Sequence, residues 1–83
     1  MEINHLIIGS TIKALRKSRG LSQEVLSGLA GIARTHLTMI ENGTKQANFE
    51  TLCKIATALD MKPSELVQKM EERLFSEQDS AQP

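Results

Sequence analysis

Apolar residues recur along this chain every three to four positions in five short bursts, and nowhere do they alternate over the length of a strand. The pattern predicts five helices. The first spans about Leu6 to Ser18, with Ile8, Ile12 and Leu15 on one stripe, and Gly20 follows it where a left-handed backbone readily closes a helix. The second starts at Ser22, a good N-cap, and carries Leu26 and Ala30 inward until Gly31 stops it. The third covers about Arg34 to Glu41, with Leu37 and Ile40 inward and Asn42-Gly43 as its terminator. The fourth is capped by Asn48 and turns Leu52, Ile55, Ala56 and Leu59 inward. The fifth runs from about Pro63 to Phe75, with Pro63 at its first position, Glu65 in its first turn, and Leu66, Val67, Met70 and Leu74 on one side. The final SEQDSAQP is polar and aperiodic, so residues 76–83 are expected to form a disordered tail behind one domain of residues 1–75.

At 83 residues the chain has room for one small core, which withdraws only ~60% of the unfolded surface from water. There is no Trp or Tyr, and Phe49 and Phe75 are the only aromatics besides histidine. Aliphatic side chains must fill the core, which favours helix-on-helix packing and an all-α class. The single cysteine, Cys53, has no internal disulfide partner, and no apolar run approaches the ~20 residues of a membrane span. The opening MEINHLIIGS lacks the basic start and long apolar run of a signal peptide. These features point to a cytoplasmic protein with no membrane association. Cys53 reads as a small core side chain rather than a redox sensor. His5, His36 and Cys53 lack metal-ligand spacing, and no nucleophile, base and orienting acid cluster. No metal, cofactor or enzymatic activity is expected.

Formal net charge is zero, which by itself disfavours nucleic acid as a partner. Its distribution changes that picture. Up to Asn48 the basic Lys13, Arg16, Lys17, Arg19, Arg34 and Lys45 face only Glu2, Glu24 and Glu41. From Phe49 on, Lys54, Lys62, Lys69 and Arg73 face seven acidic residues, Glu50, Asp60, Glu65, Glu71, Glu72, Glu77 and Asp79. A basic front half suits a face that approaches phosphates.

The second and third helices are joined by only Gly31-Ile32-Ala33, so they cross steeply, as in a helix-turn-helix unit. Ala30 is small where the helices approach, Gly31 supplies the freedom of the turn, and Ile32 plugs it from below. With Leu37 and Ile40 inward, Arg34, Thr35, Thr38 and Met39 are left on the exposed flank of the third helix. In a helix-turn-helix these are the residues in the DNA groove.

Here the chain resembles the Cro and phage-repressor (XRE-type) helix-turn-helix family. Three pieces carry the resemblance between about Ile12 and Leu66: GLSQEVL from Gly20, AGIARTHLTMIENG from Ala30, and FETLCKIATALDMKPSEL from Phe49. The resemblance implies a lambda-repressor-like five-helix fold and a transcriptional regulator that reads double-stranded DNA. It places Arg34 and Thr35 on base edges, where arginine bonds guanine O6 and N7, with Thr38 and Met39 one turn deeper. Gln23 falls where the family touches the DNA backbone or orients a reading side chain. Asn42, Thr44 and Lys45 match the phosphate-gripping loop. Arg16 and Glu41 match an ion pair between the first helix and the end of the third, with Arg16 also assigned to a phosphate. A free-standing domain of this size, with Arg-Thr opening its reading helix, resembles the controller proteins of restriction-modification systems.

Some positions depart from the pattern. Ala33 stands where many members have a Ser or Thr N-cap, and Gly28 interrupts the second helix. Val25 and Leu29 form an extra apolar strip, read first as covered by the N-terminal Leu6, Ile7 and Ile8 and alternatively as a partner surface. His36 reads as a core-flanking residue, with phosphate contact as its lesser role. Val67, Met70, Leu74 and Phe75 form a stripe expected to join two copies as a homodimer, with two reading helices ~34 Å apart on a pseudo-palindromic operator. Two other functions compete: an antitoxin that masks a toxin protein, and a protein-interaction module without DNA binding.

Overall fold

In the computed structural model, which describes the backbone of residues 2–80 and the side chains of residues 2–76, five helices follow one another in the predicted order. They are α1 (His5–Ser18), α2 (Gln23–Ala30), α3 (Arg34–Glu41), α4 (Phe49–Ala58) and α5 (Pro63–Ser80). Local chemistry explains most of their ends. Asn4, Ser22 and Asn48 accept hydrogen bonds from first-turn amides of α1, α2 and α4, which satisfies donors that no intrahelical carbonyl reaches. At the start of α5 the Glu65 carboxylate takes the Lys62 N–H at 2.8 Å. Gly31 adopts φ +70° at the turn into α3, where any side chain would be strained.

The helices pack in a ring. α1 lies against α3 and α5, α2 against α3 and α4, and α4 against α5. Inside the ring Ile12, Leu26, Leu37, Ile40, Ile55, Leu59 and Leu66 are almost completely buried, with Ala30, Ala56 and Met70 completing the cluster. Every helix contributes at least one of these residues, so removing any one element opens the core.

The carboxy-terminal helix departs from expectation in two ways. It continues five residues past Phe75 to Ser80, where a disordered tail from residue 76 was expected. Residues 81–83 of that tail lie outside the described residues. The stripe assigned to a dimer interface also needs correction: Met70 and Leu74 are 4% and 5% exposed within the single chain. α5 packs against both α1 and α4, with the Arg73 guanidinium donating to Thr11 Oγ1 at 2.9 Å across the α1–α5 contact. Of the four residues, Phe75 is exposed and Val67 half-buried.

The amino-terminal segment takes a different path from the one expected. Gly9 lets the α1 backbone approach the carbonyls of Ile40 and Glu41 so closely that a Cβ there would overlap them. The preceding turn consequently lies over the exit of α3, where Leu6 covers Gly43 and His5 Nε2 pairs with Gln46 Nε2 at 2.9 Å. The expected cover by Leu6, Ile7 and Ile8 therefore does not form: Ile7 is buried, Ile8 packs against the core, and Val25 and Leu29 stay 48% and 64% exposed.

Candidate nucleic-acid interface

The outer face of α3 is set by what its inner face buries. Leu37 and Ile40 sit in the core, and the helical period then carries Arg34, Thr35 and Met39 to the exposed side, with Thr38 half-buried beside them. His36 is half-buried at the flank, in keeping with its core-flanking assignment. The N-terminus of α3 carries no side-chain cap, because Ala33 offers no acceptor.

Beneath this face runs a polar chain. Arg16 donates through Nε to Glu41 Oε2 at 2.8 Å and through Nη2 to Glu41 Oε1 at 3.0 Å, while Nη1 reaches the Leu21 carbonyl at 2.9 Å. The two side chains are 9% and 2% exposed. The hydrogen bond to Glu41 holds the Arg16 pKa above its usual value, and the attraction between the charges adds to it, although burial works against the charged form. This paired geometry ties α1 to the end of α3, as the sequence resemblance implies. It also corrects one assignment: Arg16 spends its donors on Glu41 and Leu21 inside the fold and is not placed to grip a phosphate.

Gln23 extends the chain toward the surface. Its Nε2 donates to Glu41 Oε1 at 3.0 Å, and its Oε1 accepts from Thr38 Oγ1 at 2.9 Å. Of the two roles implied for Gln23, the geometry fits the orienting one: the first residue of α2 holds the Thr38 side chain on the outer side of α3. No periodicity argument reveals that link, because Gln23 and Thr38 meet only through the crossing angle of the two helices.

The loop after α3 is self-bonded. Thr44 donates its N–H to Met39 O and Asn42 Oδ1, both at 3.0 Å, and its hydroxyl lies 2.6 Å from Asn42 Oδ1 and 3.2 Å from Met39 O. Its donors are thus turned into the loop, and Thr44 shapes the turn. That leaves the Asn42 amide nitrogen and the exposed Lys45 ammonium as the donors the loop offers outward. The basic and polar groups carried by the outer side of α3 and the loop it leads into are therefore Arg34, Thr35, Thr38, Asn42 and Lys45, with the apolar Met39 exposed among them.

Comparison with known proteins agrees with this geometry. The helix-turn-helix family HTH_3 matches residues 12–66. An uncharacterized HTH-type transcriptional regulator, y4dJ of Sinorhizobium fredii, is 32% identical over 69 residues, covering 83% of this chain and 90% of the relative. The restriction-modification controller protein C.AhdI from Aeromonas hydrophila superposes with a TM-score of 0.74 at 35% identity, over 78% of this chain and 98% of that one. The controller protein C.Esp1396I, solved as a tetramer with its natural 35 base-pair operator, shares the fold at a TM-score of 0.81 and 19% identity, over 90% of this chain and 99% of that one. The five helices, the α2–turn–α3 unit and these matches together establish that the chain belongs to the helix-turn-helix family HTH_3 of DNA-binding transcriptional regulators.

Proposed function

We propose that this protein is a sequence-specific operator-binding regulator of the controller-protein type, which inserts α3 into the major groove. One observation carries the reading. α3 is anchored on its inner side by Leu37, Ile40 and the buried Arg16–Glu41 pair, while its outer side presents Arg34, Thr35, Thr38 and Met39. Arg34 bonds guanine, Met39 meets a thymine methyl, and Asn42 and Lys45 hold phosphates on the flank. Gln23 acts chiefly by holding Thr38.

The protein acts in the cytoplasm, without enzymatic activity, as a homodimer on a pseudo-palindromic site. With Met70 and Leu74 buried, Val67 and Phe75 are what α5 retains for the second copy. C.Esp1396I, which assembles as a tetramer on its operator, supports an oligomeric reader. Sedimentation showing only monomer at high micromolar concentration would remove the dimer from this reading.

Selection of bound sequences from random duplex DNA tests the function directly. The expected result is a symmetric pair of half-sites containing guanine, with Lys45→Ala weakening all sites about equally and lowering the slope of log affinity against log salt by about one. Binding without any selected sequence would refute the proposal. The exposed Val25–Leu29 strip favours a second reading, in which an antitoxin function is added on α2. It predicts that Leu29→Asp abolishes neutralisation of a toxin encoded beside the gene while operator binding persists.

A further inference from the structure

The polar chain beneath α3 does more than hold a side chain: it decides which way a proton points. Glu41, paired with the Arg16 guanidinium, accepts hydrogen bonds and donates none. The Gln23 amide must therefore turn its nitrogen to Glu41, at 3.0 Å, which leaves its oxygen facing Thr38 Oγ1 at 2.9 Å. Between those two oxygens only the threonine owns a proton. The second neighbour of Thr38 Oγ1, the Arg34 carbonyl at 3.0 Å, is also an acceptor. Whichever oxygen receives the single hydroxyl proton, it points into the protein.

We propose that the Arg16–Glu41–Gln23 chain makes Thr38 an acceptor-only reader, which recognises an exocyclic amino group in the major groove. The inference rests on α3 being the groove-reading helix and names what one position of it reads. An uncoupled threonine hydroxyl donates or accepts and so tolerates any base edge. Held this way, Thr38 offers only lone pairs outward, and the major-groove groups that donate to them are adenine N6 and cytosine N4. Arg34, four residues earlier and thus on the same side of the helix, is donor-only and seeks guanine acceptors. The reading face accordingly alternates in polarity along its length, and Gln23 is a positioning residue for Thr38.

The test uses the full-length protein and the operator obtained by selection from random DNA. Each adenine of a half-site is replaced in turn by 2-aminopurine, and each cytosine by its 4-deamino analogue, removing one major-groove amino group at a time. Wild type is expected to lose about three- to tenfold in affinity at one position, the worth of a single hydrogen bond. The identity of that position tells adenine from cytosine. The same analogue should cost the isosteric Thr38→Val variant nothing beyond what unaffected positions show, and Thr38→Ser should restore the full effect. Gln23→Ala removes one of the two inward acceptors and leaves the Arg34 carbonyl, so the dependence on the amino group should weaken without disappearing, while the Arg34-dependent guanine is unchanged.

An equal loss in wild type and Thr38→Val at every analogue position overturns the proposal. So does a Thr38-dependent loss with 7-deazaguanine, which lacks an acceptor instead of a donor. Failure to select any sequence refutes the groove reading itself and is recognised before an analogue is used.

Discussion

The two ends of α3 are held very differently, although only eight residues separate Arg34 from Glu41 inclusive. At the C-terminal end Glu41 is clamped by Arg16, Gly9 brings the α1 backbone onto the last carbonyls, Leu6 covers Gly43, and the Met39 carbonyl collects amides of the following loop. At the N-terminal end Ala33 caps nothing, and Arg34 and Thr35 are exposed. One end is a fixed mount and the other a free edge. The division suits the proposed work of each: Thr38 and the loop after α3 gain a fixed polarity and place, whereas the long Arg34 side chain could reach a base without a rigid mount.

The mount breaks most completely at the ion pair. Arg16→Met leaves the Glu41 carboxylate buried without its counter-charge, and removal of one partner of such a pair costs about 3–5 kcal/mol. Thermal or urea unfolding should show that loss. Adding Glu41→Leu should recover much of it, since an apolar pair of similar volume is often neutral. The double variant should nonetheless show a weakened base preference at the Thr38 position, because Gln23 is then no longer oriented and only the Arg34 carbonyl still draws the hydroxyl proton inward. Recovery of stability together with intact preference would show that the pair serves folding alone.

A second break lies in α1. Gly9→Ala places a methyl against the Ile40 and Glu41 carbonyls, and backbone cannot swing aside as a side-chain tip does, so about 1–3 kcal/mol of stability should be lost. Gly28→Ala is the matching control. Gly28 also interrupts a helix, but nothing lies within 4 Å of the added carbon, and the change should stabilise by about 0.8–1 kcal/mol. Opposite signs at two helical glycines, read by chemical denaturation, would confirm that close approach at the mount, and not helix propensity, sets the outcome.

This pair also marks how far residue patterns reach. Helix order, the caps Ser22 and Asn48, and the outward set Arg34, Thr35 and Met39 follow from local chemistry and period, and the structure keeps them. What escapes a linear reading depends on inter-helix distance. Gly9 looks like any interior glycine until α3 is laid against it. Met70 and Leu74 look unpartnered until α5 packs into the ring of helices, and Gln23 looks solvent-facing until the α2–α3 crossing brings it to Thr38. Asp60, at φ 58° after α4, holds a left-handed position that glycine occupies after α1 and α2, so its local signal is weak.

The free edge can be tested by closing it. Ala33 already has the extended backbone of an N-cap, φ −66° and ψ 143°, so a serine hydroxyl there reaches a first-turn amide without rearrangement. Ala33→Ser should therefore stabilise by about 1 kcal/mol, raising Tm by roughly 4–8 °C in a domain of this size. Its effect on DNA binding decides what the uncapped end is for. If the first turn of α3 orders only on the operator, pre-ordering it should tighten binding by up to about fivefold, the same 1 kcal/mol expressed in affinity. Because α3 is helical from Arg34 in the structure of the chain alone, we expect the rise in Tm with affinity and the base preference of Arg34 unaltered. A rise in Tm with unaltered affinity would mean that the first turn is already formed in the free protein, and that the contrast between the two ends of α3 is one of anchoring and not of order.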